Sequence, residues 1–472
     1  MTGINLPAGD APLPPEKPSA PAAPAAPAAV APAAPAKNPY PKPVYSKKAG
    51  NLLKTRLWPT ERWAHPWSQA GYRTAAIQLT VIIGGILLVG AVVDELAGWG
   101  DLLYRYLLAG TALLHQEFSA RGIPSGPLAD PARTAAGLRL GAEVLWTLFK
   151  VILVVGVINV NGIWAVWWER KLSAHMQSRL GPMYAGGFHG WAQTILDSIK
   201  LLLKEDATPA DADRAVHLLA PAVVIVPAIL AFAPVLFGTE LAAARLDMGA
   251  LYILAVSGVS VIGVVMAGWA SSNKFSLLGG LRAAAQVVSY EIPRIFAVVP
   301  IIMFTGSLDL VAIDKAQSGY WLGFLPQWFV FWFPAGPLAF LLFLIASLAE
   351  TNRVPFDIPE AESELVAGFM TEYSGMKWAL FFLAEYAYVL LACFMMAVFF
   401  LGGGAAPLPF LGFVPSWIWM LAKAMAMMFV FMWLRWTLPR FRVDQLMDFN
   451  WKFMLPWSFA VVAMAGATLL WL

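Results

Sequence analysis

The chain has 472 residues, 59% of them hydrophobic and 13% charged, with a formal net charge of +3. A soluble domain carries roughly 25% charged residues, so no soluble core hides this much apolar surface and lipid must solvate part of it. The near-neutral balance gives no basis for nucleic-acid binding, and the single cysteine, Cys393, excludes a disulfide framework, a structural zinc site or an iron–sulfur cluster on this chain. The five histidines (His65, His115, His175, His189, His217) are scattered, so a redox metal centre is expected on a partner.

In chain order, the start MTGINLPAGD lacks the basic opening and apolar core of a signal peptide. A Pro/Ala tract over 11–44 reads as an extended, disordered tail. Residues 45–73 mix Lys47, Lys48, Lys54, Arg56, Arg62 and Arg73 with Trp58, Trp63 and Trp67, the composition of an interfacial segment. The tail and basic segment form one unit, 1–74, an added helix and outer loop a second, 75–141, and the main membrane domain runs over 142–472. Spans of about 20 apolar residues are predicted near 75–97, 142–168, 216–238, 250–270, 285–306, 327–349, 376–401, 413–434 and 454–472. The predicted fold is thus an all-α polytopic membrane protein with about nine transmembrane helices and one amphipathic surface helix. With the N-terminus cytoplasmic, the inner segments hold 24 Lys and Arg and the outer ones 6. The positive-inside rule then puts the C-terminus on the outer side of the cell membrane.

The inner segments are unusual in content as well as sign. Glu169, Arg170 and Lys171 close an apolar span, where the plain reading is an interface anchor. Over 188–205, Trp191, Ile195, Ile199 and Leu202 fall on one helical face and Gln193, Asp197, Lys200 and Lys204 on the other, a helix lying along the membrane with Glu205 at its end. Glu291 is expected about a turn and a half into its span, with Arg282 or Arg294 as its plain partner. From Glu350 to Glu372 come six acids, Glu350, Asp357, Glu360, Glu362, Glu364 and Glu372, with Arg353 the one base, and Glu385 sits in the next span. A solvated acidic face is the plain reading of such a run. Crowding in a poorly solvated site would instead raise some of these pKa values and suit a proton relay. Arg435, Arg440, Arg442 and Lys452 gather beside Asp444, as a span anchor or as a docking surface for an acidic partner.

The segments ERKLSAHMQSRLGP, KLLLKED, SSNKFSLLGGLRAAAQVVSYE, AETNRVPFDIPEAESELVAGFMTEYSGMK, FFLAEY and WTLPRFRVDQLM resemble the H subunit of bacterial NADH–quinone oxidoreductase, the counterpart of the first mitochondrially encoded subunit of respiratory complex I. The resemblance runs from about residue 142 to 472. It implies eight membrane helices after the added one, and a quinone chamber at the junction with a peripheral arm whose iron–sulfur subunit reduces the quinone. It further implies acids linking that chamber to the proton-pumping subunits of the membrane arm. Carried over, Glu169, Arg170, Asp197, Glu205, Arg353, Asp357, Glu360, Glu362 and Glu364 belong to the quinone chamber, and Glu291, Glu350 and Glu385 to the proton relay. Arg440, Arg442 and Asp444 belong to the partner-docking loop. Quinone is the implied bound substrate, with no metal ligand on this chain. The chain departs from the family at Val443, Met183 and Asp206, where Tyr, Asn and Pro are usual, which bears on quinone headgroup preference. Related readings are the homologous subunit of a membrane-bound hydrogenase or of a complex fed by ferredoxin or a reduced deazaflavin, and a passive membrane anchor. A free-standing carrier would need internal repeats, and none is seen.

Overall fold

A computed structural model describes residues 131–471, apart from 187–188, 240, 322 and 360, with side chains described from residue 144 onward except those of 362, 363 and 471. The Pro/Ala tail, the basic Trp segment and the predicted span at 75–97 lie outside the described residues.

Long apolar helices dominate. They are α1 (Pro131–Met176), α3 (Arg214–Ala231), α4 (Gly249–Gly258) with α5 (Ser260–Ala270), α6 (Lys274–Thr305), α8 (Ala335–Glu350), α10 (Gly375–Phe400), α11 (Ser416–Thr437) and α12 (Val443–Phe449) running through a π turn at Asn450–Met454 into α13 (Leu455–Trp471). Short pieces fill the connections: the surface helix α2 (Gln193–Leu203), α7 (Leu310–Ala316), α9 (Glu362–Leu365) and a two-residue hairpin, β1 (Tyr320–Trp321) with β2 (Leu325–Pro326). Among the described residues seven helical segments are long and apolar enough to cross a membrane, and α8 is a shorter apolar helix. These correspond to the eight spans predicted after residue 141, and the chain is an all-α multi-pass membrane protein.

The helix ends differ from the sequence expectation, for local reasons. Residues 169–176 contain no Gly or Pro, so α1 continues through the Glu169-Arg170-Lys171 triplet to Met176 and ends before the Gly181-Pro182 turn. The loop expected between the spans at 250–270 and 285–306 shrinks to 271–273. There the Asn273 side chain accepts the Phe275 N–H at 2.9 Å and caps α6. Glu291 therefore lies about 25 Å along α6, near its middle, rather than just inside its edge. Pro334 precedes α8 instead of interrupting it, because Phe329–Phe331 forms a separate 3-10 turn.

The centre of the bundle is α10. Its membrane window is 78% buried, against 17% for α1, which lies at the periphery of the described helices. Small residues let the neighbouring helices close in. A Cβ on Gly263 of α5 would stand 2.5 Å from Val224 Cγ2 of α3, and one on Gly268 would stand 2.7 Å from the Ser276 carbonyl of α6.

The connections meet on two faces. One joins the ends of α1, α6, α8, α10 and α11 and carries the charge. On the opposite face the Gly402-Gly403-Gly404 turn, with φ of 64° and 38° at its first two residues, is tied down by buried side chains. Lys423 of α11 donates to the carbonyls of Gly402, Gly403 and Ala405 at 3.0, 2.9 and 2.7 Å. Gln317 accepts the Gly402 N–H at 3.0 Å and donates to the Val398 carbonyl at 2.7 Å. Asp314 of α7, fully buried, accepts the Gly404 N–H at 3.0 Å.

Burial pushes Asp314 up to about 6, against the Gly404 N–H, Lys423 and Lys315, which favour the anion. The folded chain thus holds this proton more tightly than the unfolded chain, whose carboxyl titrates near 3.8. The stabilisation is complete below that lower value and is lost as pH rises through about 6. Asp314→Asn, which keeps an oxygen for Gly404, is expected to flatten the rise in melting temperature between pH 7 and pH 4.5. Thermal unfolding of both proteins in detergent across that range checks it; parallel curves would remove the assignment.

Candidate functional site

Two charged clusters and a cavity between them occupy the charged face and the upper bundle. The first is built on Glu169, placed inside the protein by the extension of α1. Its carboxylate accepts from Arg353 Nη1 at 3.0 Å and from the Tyr386 hydroxyl at 2.6 Å, and it contacts Arg435 of α11. Arg353, 5% exposed, also pairs through Nε with Glu385 at 2.6 Å and lies 4.3 Å over the Tyr386 ring. Two acids and two bases balance, which is what lets so much charge leave water. Burial works against the Arg353 charge, but Glu385, Tyr386 and Glu169 hold it above its ordinary range.

The second cluster sits deeper. Arg294 of α6, 2% exposed, pairs with Glu350 at the end of α8, donates to Ser257 Oγ at 3.2 Å and lies 5.7 Å over the Phe343 ring. Glu291, one turn earlier on α6, takes neither base expected of it. Arg294 is held by Glu350, and Arg282 pairs with Glu364 at 2.6 Å. The Glu291 carboxylate lies against Gly258 of α4, where an added Cβ would collide with it, and it makes no hydrogen bond or ion pair to another described residue. Gly258→Val is therefore expected to displace Glu291 while leaving both ion pairs intact. Activity should fall as far as in Glu291→Gln, and a wild-type rate in an assembled complex would show the contact to be unimportant.

A cavity of about 50 Å³ lies between the clusters. Glu350, Thr351, Asn352, Glu385, Ser260 and Tyr388 give it polar walls, while Val224, Phe369, Met370 and Phe381 close its apolar side. One water needs about 10–15 Å³ of such space, so there is room for a short file of waters between Glu385 and Glu350. The buried Tyr388 hydroxyl, beside Ser260 on the cavity wall, is an anchor for it.

The acidic segment is laced to the rest of the charged face by distant residues. Asp357 pairs with Arg440 at 2.8 Å, Asn273 donates to Glu372 at 2.6 Å, and Phe441 N–H reaches the Pro355 carbonyl at 3.0 Å. Gln286 of α6 donates to the carbonyls of Ala349 and Phe356, both at 2.7 Å. The run is thus no free solvated face: side chains from several other elements hold it. Burial raises the Asp357 carboxyl, with Arg440, Arg435 and Arg353 opposing. Arg170 pairs with Asp197 at 2.5 Å and so pins α2 to α1, beside the first cluster. The apolar residues Leu196, Ile199, Leu202 and Leu203 of α2 remain exposed.

Some expected site residues stand apart. The Glu205 side chain is exposed, and its carbonyl, not its carboxylate, accepts from Ser374. Arg442 and Asp444 pair with each other at 3.2 Å, each more than two-thirds exposed, a geometry of little energetic weight. Glu360 and the Glu362 side chain lie outside the described residues. Conversely, Tyr386, Tyr388, Gln286 and Ser257 were not singled out from sequence. Tyr386 adjoins Glu385 directly and could have been found there; the others carry no local signal.

Buried, charge-balanced acids between packed helices, with room for water, define a multi-pass membrane protein with an internal polar site. Comparison with known proteins gives the family. The NADH dehydrogenase family matches residues 149–466. The H subunit of NADH-quinone oxidoreductase from Geobacillus kaustophilus is 46% identical over 319 residues, 68% of this chain and 92% of that protein. The H subunits of the same enzyme from Anoxybacillus flavithermus and Bacillus cytotoxicus are 47% and 44% identical over 316 and 326 residues, covering 92% and 95% of those proteins. The chain belongs to the family of NADH-quinone oxidoreductase H subunits.

Proposed function

We propose that the chain forms the membrane wall of the quinone site in a proton-translocating NADH–quinone oxidoreductase and passes the consequence of quinone reduction to proton movement. The observation that carries this is the water-sized cavity joining the Glu169–Arg353–Glu385 cluster to the Arg294–Glu350 cluster. Quinone reduction near the first cluster takes up protons and changes its charge balance. Because Arg353 bridges two carboxylates, a proton gained by either one loosens its hold and shifts charge toward the other. Glu385 is the member of that cluster that also lines the cavity, so it is the exit toward Glu350 and, beyond Arg294, Glu291.

In this reading Arg170, Asp197 and the exposed apolar face of α2 guide an amphiphilic quinone from lipid toward Glu169. Asp357, Glu360, Glu362 and Glu364 form the floor under the peripheral arm, and Glu205 lies at the margin. Arg440, Arg442 and Asp444 face the partner subunits that bring the iron–sulfur cluster. The charged face is cytoplasmic and the Gly402–Gly404 turn lies on the outer side.

The test is purification of the assembled complex from the native membrane. Co-purifying NADH-binding subunits, NADH–quinone reductase activity and acidification of the lumen of reconstituted vesicles on external NADH are expected. Partners of a hydrogenase or a ferredoxin-linked enzyme would assign the chain to that sister class.

A further inference from the structure

His217 is a buried titratable group outside both clusters. It lies in the first turns of α3 and is fully buried, with the Glu372 backbone beside its ring. Its ring stacks flat on Tyr373, centroids 4.0 Å apart and planes 3° apart, and the Tyr373 hydroxyl is buried without a partner. Position 221 is proline, so the His217 carbonyl loses its helical donor as well; Pro227 does the same to the Val223 carbonyl further along α3. A buried hydroxyl such as that of Tyr373, and a carbonyl that has lost its helical donor, are costly unless water reaches them.

The surroundings give this spot a direction. On one side are the charges of the polar face. Asp206 precedes α3 and pairs with Lys377 of α10 at 2.8 Å, and Asp206, Lys377 and Glu372 all act electrostatically on the imidazole. Asp206 is half exposed, so this side is in contact with solvent. On the other side Tyr373 meets Phe381 edge-on at 4.9 Å, and Phe381 meets Phe369 at 5.5 Å. Phe381 and Phe369 are the apolar wall of the cavity that holds Glu350 and Glu385, and Val224 of α3 lines the same cavity. Two rings in series, Tyr373 and Phe381, therefore stand between the buried imidazole and the carboxylate cavity.

We propose that His217 exchanges protons between the solvent at the charged face and the Glu350–Glu385 cavity, with Phe369 and Phe381 as the dry barrier that opens to let water through. This rests on the proton-relay reading of that cavity. A neutral ring takes one proton from water on the Asp206 side and becomes imidazolium. It then gives one proton to a water on the cavity side and is neutral again, and no electron moves.

The test uses the assembled complex in sealed vesicles, with His217→Phe to keep the stack, His217→Gln, Glu385→Gln and Asp206→Asn compared with wild type. Electron input through the NADH module, measured with an artificial acceptor, should be unchanged in all four. Both His217 variants should lose quinone reductase turnover about tenfold or more together with one limb of its pH profile. Asp206→Asn, a surface change, should move that limb to lower pH because an anion that stabilises the imidazolium is gone. Wild-type turnover and an unmoved pH profile in the His217 variants would make the residue a packing element and overturn the proposal. An unmoved limb in Asp206→Asn would do so even where the His217 variants fail to assemble. Loss of activity in Glu385→Gln with no effect at His217 defeats this proposal alone, whereas an unaffected Glu385→Gln defeats the relay reading itself.

Discussion

Replacement of Arg353 by methionine is expected to abolish assembly of the protein into its complex. Arg353 is the shared cation of Glu169 and Glu385, and all three side chains are at most 12% exposed. Methionine fills similar space but leaves Glu385 without its ion-pair partner and Glu169 with Arg435 alone. Breaking a buried pair from one side costs about 3–5 kcal/mol, a large part of the stability of a typical domain. Lysine retains the charge but not the fork that reaches two carboxylates at once, so Arg353→Lys should assemble and turn over slowly. The triple change Arg353→Met, Glu169→Gln, Glu385→Gln should recover assembly without recovering activity, since the one charge left unpaired, Arg435, is about a third exposed. Native gels and NADH–quinone reductase assays of the three proteins decide this. A stable, active Arg353→Met complex would mean that the cluster is not the electrostatic centre described.

The second large effect is expected at Glu385. Glu385→Gln removes a carboxylate that both balances Arg353 and lines the cavity, while Glu169 keeps Arg353 in place at 3.0 Å. Assembly should persist. Quinone reduction coupled to proton transfer should fall on the order of 10²-fold, and the residual activity should no longer acidify the vesicle lumen. Glu350→Gln should produce the same coupling defect with a smaller loss of turnover, because it lies beyond the cavity from Arg353. Intact pumping in both variants would favour the passive-anchor reading. A line of acids is by itself only a positional argument; the paired loss gives it functional content.

Much of this arrangement was readable in the sequence, and what was missed has definable causes. Spans such as 376–401 and 413–434 fall within a few residues of α10 and α11, because long apolar runs fix membrane helices by length alone. The start of α6 was misplaced because SSNKFSLLGGLRAAAQ is polar and glycine-rich, and its cap, Asn273, is a common residue in turns as well. The density of acids at 350–372 was plain, but their partners were not. Arg353 reaches Glu169 across 184 residues and Arg435 reaches it across 266, distances over which a single sequence carries no pairing signal. Local proximity misled in two places. Arg294 follows Glu291 by one turn yet pairs with Glu350, and Arg282, the other base in reach, pairs with Glu364. Lys423 inside an apolar span was a readable warning of a buried polar site, and the structure uses it to hold the Gly402–Gly404 turn.

The most direct test of a proton path between the two clusters is the infrared difference spectrum of the assembled complex on quinone reduction. A change in a protonated-carboxyl band that disappears in Glu385→Gln and, separately, in Glu350→Gln is the predicted result. A band unchanged from wild type in both variants would contradict it.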